Sequence, residues 1–174
     1  MHEAAKTWVR RFVLAHGPGT RVLEIGSREI NGEVRSLFRK AESYTGIDLA
    51  PGAGVDLVAD GATFVLEAPP DRIVCCEVLE HAPNAAAILA NAWRQLAPHG
   101  WLVVTCAAPN RAPHSAVDGG PLRPGEFYRN LTPRDVHDAL KPAPDLHSYD
   151  LDELAGDLRV AAWKGPKRDA DTPR

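Results

Sequence analysis

The chain has 174 residues, of which 44% are hydrophobic, so it can build one sizeable core and is not a disordered chain. Its formal net charge of −3 gives no sign of a broad nucleic-acid-binding surface. It contains no run of about 18 apolar residues, so no transmembrane helix is expected. The start at Met1 carries no signal-peptide pattern, and the three cysteines lie in apolar runs rather than in a disulfide pattern. These features predict a reducing, cytoplasmic location.

The first half of the chain alternates helical and strand-like patterns, as in an α/β protein. Its predicted elements are an amphipathic helix over 3–15, a strand over 21–25, a helix over 32–40, strands over 44–48 and 55–59, and a brief helical segment over 63–66.

The second half continues this pattern and adds a long loop. Residues 72–77 are apolar on both faces, as in a buried parallel strand. The proline- and glycine-rich segment 107–131 is predicted to be a long loop, which in a compact domain is often functional. The remaining predictions are a helix from Asn84 to Leu96, a strand over 101–106, a helix begun by Thr132 and Pro133, strands over 146–151 and 158–163, and a disordered charged tail over 166–174.

Residues 21–32 predict a buried strand, a tight turn and a helix start, which together form the front edge of a nucleotide or nucleoside site. Glu24 is an acid in an apolar strand, and its burial is costly without a partner. Gly26 permits a sharp turn and leaves room for a ligand. Asp48 ends the second strand about 20 residues later, where an acid can accept hydrogen bonds from ribose hydroxyls. A third acid, Asp60, follows the third strand.

Five motifs in this order resemble the class I S-adenosylmethionine-dependent methyltransferases, most closely the small proteins with a "VLEH" segment after the fourth strand. The motifs are Val22-Leu23-Glu24-Ile25-Gly26, Gly46-Ile47-Asp48, Ala59-Asp60-Gly61, Cys76-Glu77-Val78-Leu79-Glu80-His81 and Gly100-Trp101-Leu102-Val103-Val104-Thr105. The likeness covers residues 20–107 well and the remainder loosely. No single motif is decisive, but their order is fairly specific.

The resemblance implies a three-layer α/β sandwich with a Rossmann-like, seven-stranded, mostly parallel sheet whose last strand is antiparallel. Residues 1–165 would form a single domain. The implied activity is methyl transfer from S-adenosylmethionine to a small-molecule acceptor. The sequence Glu77-Val78-Leu79-Glu80 stands where DNA base methyltransferases carry Asn or Asp followed by Pro-Pro and an aromatic residue, which speaks against DNA base methylation. Neither a nucleic acid nor, since no long apolar run is present, a membrane is an expected partner.

The resemblance also assigns roles to individual residues. Glu24 would contact the methionine ammonium directly or through water, Asp48 would accept both ribose hydroxyls, and Asp60 with Gly61 would receive the adenine. The implied cofactor-binding set is Glu24, Gly26, Ser27, Asp48, Leu49, Asp60, Gly61 and Glu77. For each acid the competing interpretation is an ordinary turn residue at the end of a strand.

The first loop departs from the family pattern of acid-x-Gly-x-Gly-x-Gly. Arg28 and Ile30 replace the second and third glycines, and the next glycine is Gly32. We therefore expect a longer or differently shaped loop. A dinucleotide fingerprint Gly-x-Gly-x-x-Gly is also absent.

His81 is the candidate catalytic residue, because an imidazole can deprotonate an acceptor or shape its pocket. Its alternative role is that of a structural loop histidine. Six residues of the long loop could line the acceptor pocket or be solvated: His114, Arg123, Glu126, Phe127, Tyr128 and Arg129. The other histidines show no metal-ligand spacing with each other or with cysteine, so no metal is predicted.

Two other classes of function stay open. A non-catalytic S-adenosylmethionine-binding or partner protein is compatible with the altered first loop. A nicotinamide-dependent oxidoreductase fits less well, because the glycine loop is wrong and no second substrate domain is evident. The sequence names neither the acceptor nor the oligomeric state.

Overall fold

The computed structural model describes residues 2–141, 143, 146–154 and 156–166. In it, the apolar runs of the sequence form a seven-stranded sheet that is flanked by helices. The helices are α1 (Glu3–His16), α2 (Ala85–Gln95) and α3 (Pro133–Leu140), and the strands are β1 (Arg21–Ile25), β2 (Ser43–Asp48), β3 (Leu57–Val58), β4 (Arg72–Cys76), β5 (Trp101–Ala107), β6 (Leu146–Leu154) and β7 (Asp157–Lys164).

The strand order is β3-β2-β1-β4-β5-β7-β6. Strands β1 to β5 are parallel, and β7 runs antiparallel between β5 and β6. The predicted Rossmann-like sheet with an antiparallel last strand is therefore confirmed. Ile25 at the end of β1 is in register with Ile47 of β2 on one side and with Cys75 of β4 on the other. The chain order reverses between β1 and β4, and this is the switch point beside which open α/β sheets bind ligands.

Alternating side chains of the strands supply two apolar layers. On one face, Val22, Val74 and Val103 pack under α1, which contributes Val9 and Phe12. On the other face, α2 and α3 cover the side chains of the same strands that point the opposite way. Burying both faces favours the continuous apolar runs from which the strands were predicted.

The cysteines and tryptophans belong to this core, as predicted. Cys75, Cys76 and Cys106 are free and buried. Trp93 is buried, and Trp8 and Trp101 pack against the layer under α1.

The predicted helix over 32–40 was wrong, because only a single 3-10 turn, Arg35–Phe38, forms there. The predicted apolar residues Val34 and Phe38 are buried, but residues 27–34 ahead of the turn form an irregular loop instead of a helix start. The Glu33 carboxylate caps that turn by accepting hydrogen bonds from the backbone N–H and the hydroxyl of Ser36.

The brief helical segment predicted over 63–66 is also not a helix. One of its carbonyl groups, that of Phe64, is bound from outside the segment, because Asn91 and Gln95 of α2 both donate side-chain hydrogen bonds to it. In α1 the buried residues are Ala5, Val9 and Phe12, whereas two residues of the predicted face, Ala4 and Ala15, are exposed.

Of the predicted tail, only Pro166 is described, and it is exposed; residues 167–174 lie outside the described residues. Among the helices in the described ranges, none is long and apolar enough to cross a membrane.

Candidate functional site

A cavity of about 1560 Å³ opens at the carboxyl ends of β1, β2, β3 and β4. All nine residues that the sequence predicted for cofactor or catalytic roles line this cavity: Glu24, Gly26, Ser27, Asp48, Leu49, Asp60, Gly61, Glu77 and His81. Single-ligand pockets usually measure about 300–1,000 Å³, so this volume can hold two molecules side by side.

The turn after β1 brings the backbone to the floor of the cavity. Gly26 has a φ of 78°, and a Cβ atom there would lie 2.0 Å from a methyl carbon of Val78. The N–H groups of Gly26 and Ser27 both donate to the Ile47 carbonyl. The Ser27 hydroxyl is buried and makes no hydrogen bond with any described residue. Glycine is required at position 26 both by conformation and by space.

Glu24 has the partner that its burial requires. Its Oε2 accepts a hydrogen bond of 2.6 Å from the hydroxyl of Tyr44 on the neighbouring strand. Burial raises the pKa of Glu24 to about 7, and the hydrogen bond from Tyr44 and the charge of Arg35 offset only part of this effect. Near neutral pH this carboxyl can therefore hold or release a proton in response to a ligand charge.

Asp48 is held at the end of β2 by backbone N–H groups. Its two oxygens accept hydrogen bonds from Arg28 N at 3.3 Å and Ala50 N at 3.0 Å. These bonds fix the carboxylate at the cavity wall, and each oxygen has a further lone pair with which to accept a ligand hydroxyl.

The Asp60-Gly61 turn is fixed in a similar way. Asp60 Oδ1 accepts from Ala62 N at 2.8 Å, and Asn91 of α2 donates to the Gly61 carbonyl at 2.8 Å. Asn91 was not predicted from the sequence, where it appeared only as a polar residue in a helix.

Glu77 follows β4 with a φ of 57°, in the left-handed region that non-glycine residues rarely adopt. Its N–H donates to the Thr105 carbonyl, and its Oε1 accepts from the Thr105 hydroxyl at 3.0 Å. Its Oε2 lies 3.3 Å from Arg111. Such a backbone conformation costs on the order of 1–3 kcal/mol and is concentrated at functional sites.

Arg111 belongs to a charged cluster at one rim of the cavity. It forms ion pairs with both Glu77 and the buried Asp157, which also pairs with His2 at 2.8 Å and with Arg159. Burial opposes the ionisation of Asp157, but the hydrogen bonds from His2 and Arg159 outweigh it and lower the pKa of that carboxyl. His2 and Arg111 line the cavity although the sequence analysis assigned no role to them.

The altered first loop is tied to the long loop rather than folded into a tight glycine turn. Arg28 donates to the Ala116 carbonyl at 3.4 Å, and Asn31 donates to the Asp118 carbonyl at 3.1 Å. Residues of both loops line the cavity. The loop that carries Arg28 and Ile30 therefore contacts the long loop at the cavity, and its difference in shape from the family pattern stays a prediction.

His81 lies in a group of rings at the end of the cavity formed by the long loop. Its ring centroid is 5.0 Å from that of His114 and 5.3 Å from that of Tyr128. Burial, followed by the nearby His114, lowers the pKa of His81 to about 4, so its imidazole is neutral at pH 7. Of the six loop residues proposed for the acceptor pocket, His114 alone is in the cavity lining, and Tyr128 contacts the rings of His81 and His114 without being part of that lining.

Glu80 lies directly behind this group of rings. It is 0% exposed, and neither carboxylate oxygen makes a hydrogen bond of normal geometry with a described residue. Burial and then the Glu77 charge raise the pKa of Glu80, and the backbone N–H groups of Glu80 and Ala107 and the Arg111 charge offset only part of this. The sequence analysis quoted Glu80 in a motif without assigning it a function.

Taken together, the cavity has two chemically distinct ends. Carboxylates and backbone groups at the ends of β1, β2 and β3 can bind hydroxyls, an amine and a base edge. Imidazole and phenol rings at the other end can hold or deprotonate a second molecule.

A family model described as a methyltransferase domain matches residues 1–156. The chain is 30% identical over 182 aligned positions to a ubiquinone biosynthesis O-methyltransferase of Xylella fastidiosa, an alignment covering 88% of this chain and 70% of that protein. It is 28% identical over 140 positions to the enzyme of the same name from Burkholderia thailandensis, covering 71% of this chain and 58% of the relative. The chain thus spans less than two thirds of that relative's length.

The fold is similar to the crystal structure of the N-methyltransferase NodS from Bradyrhizobium japonicum in complex with S-adenosylhomocysteine. The TM-score is 0.66 at 20% sequence identity, and the match covers 94% of this chain and 87% of the other.

Proposed function

Since the chain belongs to the methyltransferase domain family, we propose that it transfers a methyl group from S-adenosylmethionine to a small-molecule acceptor. One observation carries the proposal: nine residues chosen from motif order alone line one cavity at the switch point of the sheet. The similarity to ubiquinone biosynthesis O-methyltransferases supports a small acceptor.

The cofactor occupies the end of the cavity beside β1, β2 and β3 in this proposal. Asp48 accepts the two ribose hydroxyls, and Asp60 with Gly61 receives the adenine. Glu24 faces the methionine ammonium, whose positive charge favours the ionised carboxylate. Gly26 and Ser27 let the backbone approach the ligand, and Leu49 and Glu77 complete the wall. The close Gly26–Val78 packing and the unpartnered Ser27 hydroxyl fit this use.

When bound, S-adenosylmethionine supplies an electrophilic methyl group at its sulfonium. The contribution of the protein is to align the acceptor in line with that methyl group. The new bond to the acceptor forms as the carbon–sulfur bond breaks, the electron pair stays on sulfur, and a hydroxyl or amine acceptor loses a proton. His81 is the candidate residue at the acceptor, because its ring lines the cavity and its buried Nδ1 has no described partner.

Three further expectations belong to this proposal. Residues 1–165 act as one domain, which the single sheet from β1 to β7 supports. The protein works in the cytoplasm, which its free, buried thiols support. It does not act on nucleic acid, which the net charge of −3 supports.

The first test is calorimetric titration with S-adenosylmethionine and S-adenosylhomocysteine. We expect micromolar binding of both, and we expect Asp48→Ala to weaken it by more than tenfold, about 1.4 kcal/mol. Asp138→Ala is the matched control, because Asp138 lies on the exposed side of α3 and does not line the cavity. Unchanged affinity in Asp48→Ala would remove Asp48 from the site, and no binding by the folded protein would overturn the proposal.

Turnover requires a second measurement, the release of S-adenosylhomocysteine with a panel of small hydroxyl and amine acceptors. Cofactor binding without release for any acceptor would favour the non-catalytic alternative.

A further inference from the structure

Glu80, His81 and His114 form a cluster with the composition of a metal site. Each offers one ligand atom, and these three atoms lie within 4.8 Å of one another. Two imidazoles and one carboxylate are a ligand set that zinc, iron and related divalent ions commonly take.

Three polar atoms of this cluster are buried, namely both Glu80 carboxylate oxygens and His81 Nδ1. None of the three makes a hydrogen bond of normal geometry with a described residue, and the backbone N–H groups of Glu80 and Ala107 offset only part of the burial effect on the Glu80 carboxyl. Leaving a buried polar group unpaired costs about 1–3 kcal/mol, and more for a charged group. A cation would satisfy the carboxylate and the imidazole at once.

The tautomer of His114 is compatible with this use. Its Nδ1 lies 3.2 Å from the Ala112 carbonyl oxygen. A neutral ring that donates through Nδ1 carries its lone pair on Nε2. Backbone carbonyls commonly orient metal-binding histidines in this way.

The other acid–histidine cluster of the cavity provides a contrast. His2, Glu77 and Asp157 also lie within ligand distance of one another, but the Arg111 guanidinium already pairs with both of their carboxylates. Positive charge is thus supplied at that cluster by the protein itself. Near Glu80, Arg111 acts only through a longer-range charge effect.

We propose that Glu80, His81 and His114 bind one divalent first-row transition-metal ion at the acceptor end of the cavity. This revises the expectation of no metal, which considered only spacings among histidines and cysteines. The fold brings His114 of the long loop to the Glu80-His81 pair, a contact that sequence spacing does not reveal.

The ion has a direct use in methyl transfer, and this part rests on the proposed function. An acceptor hydroxyl bound to the ion would have a lowered pKa and would lose its proton to solvent. Its oxygen could then form the new bond to the methyl carbon, while the electron pair of the broken carbon–sulfur bond would stay on sulfur. His81 then acts by holding the ion rather than by taking the proton itself.

The test uses the full chain without an affinity tag, stripped of metal by a chelator and titrated with Co²⁺. Visible ligand-field absorption follows binding, and calorimetry with Zn²⁺ and Mg²⁺ compares affinities. We expect saturation at one equivalent of Co²⁺ or Zn²⁺ and much weaker binding of Mg²⁺, which prefers oxygen ligands.

The variants are His114→Gln, Glu80→Gln and, as matched control, His137→Gln on α3, outside the cavity. The first two should bind Co²⁺ at least tenfold more weakly, with unchanged far-ultraviolet circular dichroism, and the control should bind like the wild type. His114 is only half-buried, so its variant tests the site even if Glu80→Gln does not fold. Wild-type binding by His114→Gln, or no saturable Co²⁺ absorption in the folded wild type, would overturn the inference.

These outcomes are separate from those of the proposed function. Metal binding is measured without cofactor, so a chain that binds Co²⁺ but not S-adenosylmethionine keeps the metal site and loses the methyltransferase assignment. A chain that binds S-adenosylmethionine but no metal keeps the methyltransferase assignment and loses the metal site.

Discussion

Glu24 shows how burial sets the chemistry of a single residue in this site. The carboxyl is 5% exposed and accepts one hydrogen bond, from Tyr44. Burial raises its pKa to about 7, aided by Glu33 and Glu29, while Tyr44 and Arg35 act in the opposite direction. The folded chain therefore binds a proton here more tightly than the unfolded chain does.

This difference predicts a pH-dependent stability. A raised folded-state pKa contributes stability that is complete below about pH 4.5 and is lost as pH rises through about 7. Glu24→Gln, which imitates the neutral acid, should remove this loss. Relative to the variant, the wild type should lose up to about 3 kcal/mol of unfolding free energy between pH 4.5 and 8.

Urea denaturation of both proteins across this pH range measures the effect. Subtracting the unfolding free energy of the variant from that of the wild type at each pH removes the contributions of all titrating groups that the two proteins share. A flat difference curve would mean that Glu24 has the same pKa in the folded and the unfolded chain, against the argument from burial.

At the scale of elements, the turn after β1 places two constraints on Gly26, its positive φ and the lack of space for a Cβ atom. Gly26→Ala should strain a left-handed backbone and force a Cβ atom into Val78. We expect a loss of stability above the roughly 1–3 kcal/mol of backbone strain alone. It should also weaken S-adenosylmethionine binding, because the turn forms the cavity floor. Chemical denaturation and calorimetry measure the two effects.

Gly17→Ala is the matched control for this prediction. Gly17 also has a positive φ, of 76°, but a Cβ atom there would have no neighbour within 4 Å. It therefore carries the strain without the overlap, and it lies outside the cavity lining. Equal destabilisation of the two variants would show that Val78 moves aside at no cost.

The predicted helices also show which sequence signals are sufficient to predict a helix. Helix α3 was predicted from Thr132 and Pro133, and the Thr132–Asp135 capping box is present because its hydrogen bonds are local. The helix predicted over 32–40 failed because the residues ahead of it are held by contacts with a distant loop, such as that of Asn31 with Asp118. The Thr132 cap was predicted correctly from the local sequence, whereas Asn84, the other predicted cap, makes no side-chain cap hydrogen bond. Competition from tertiary contacts could not be predicted from the sequence.

For the molecule as a whole, the sheet and the cavity lining at the ends of its first strands, where we propose that the cofactor binds, follow from the sequence, but the end formed by the long loop does not. The acids of the cofactor end stand directly after strands, so parallel strand order brings Asp48 and Asp60 to one edge. His114 and Arg111 come from the long loop, whose path depends on packing with no periodic signal. The Glu80–His114 cluster therefore became visible only in three dimensions.

Ligand binding should stabilise this whole sheet, because the cofactor end joins residues after three of its strands. A ligand at 100 times its Kd adds about 2.7 kcal/mol to the unfolding free energy. For a chain of this size that corresponds to a rise in Tm of about 5–10 °C. We expect this rise with S-adenosylmethionine and with S-adenosylhomocysteine, a much smaller one in Asp48→Ala, and none with reduced nicotinamide cofactor. Differential scanning fluorimetry at matched ligand concentrations makes the comparison. A rise with the nicotinamide cofactor alone would reverse the assignment, because the edge of the sheet would then bind a dinucleotide without the glycine fingerprint that such ligands require.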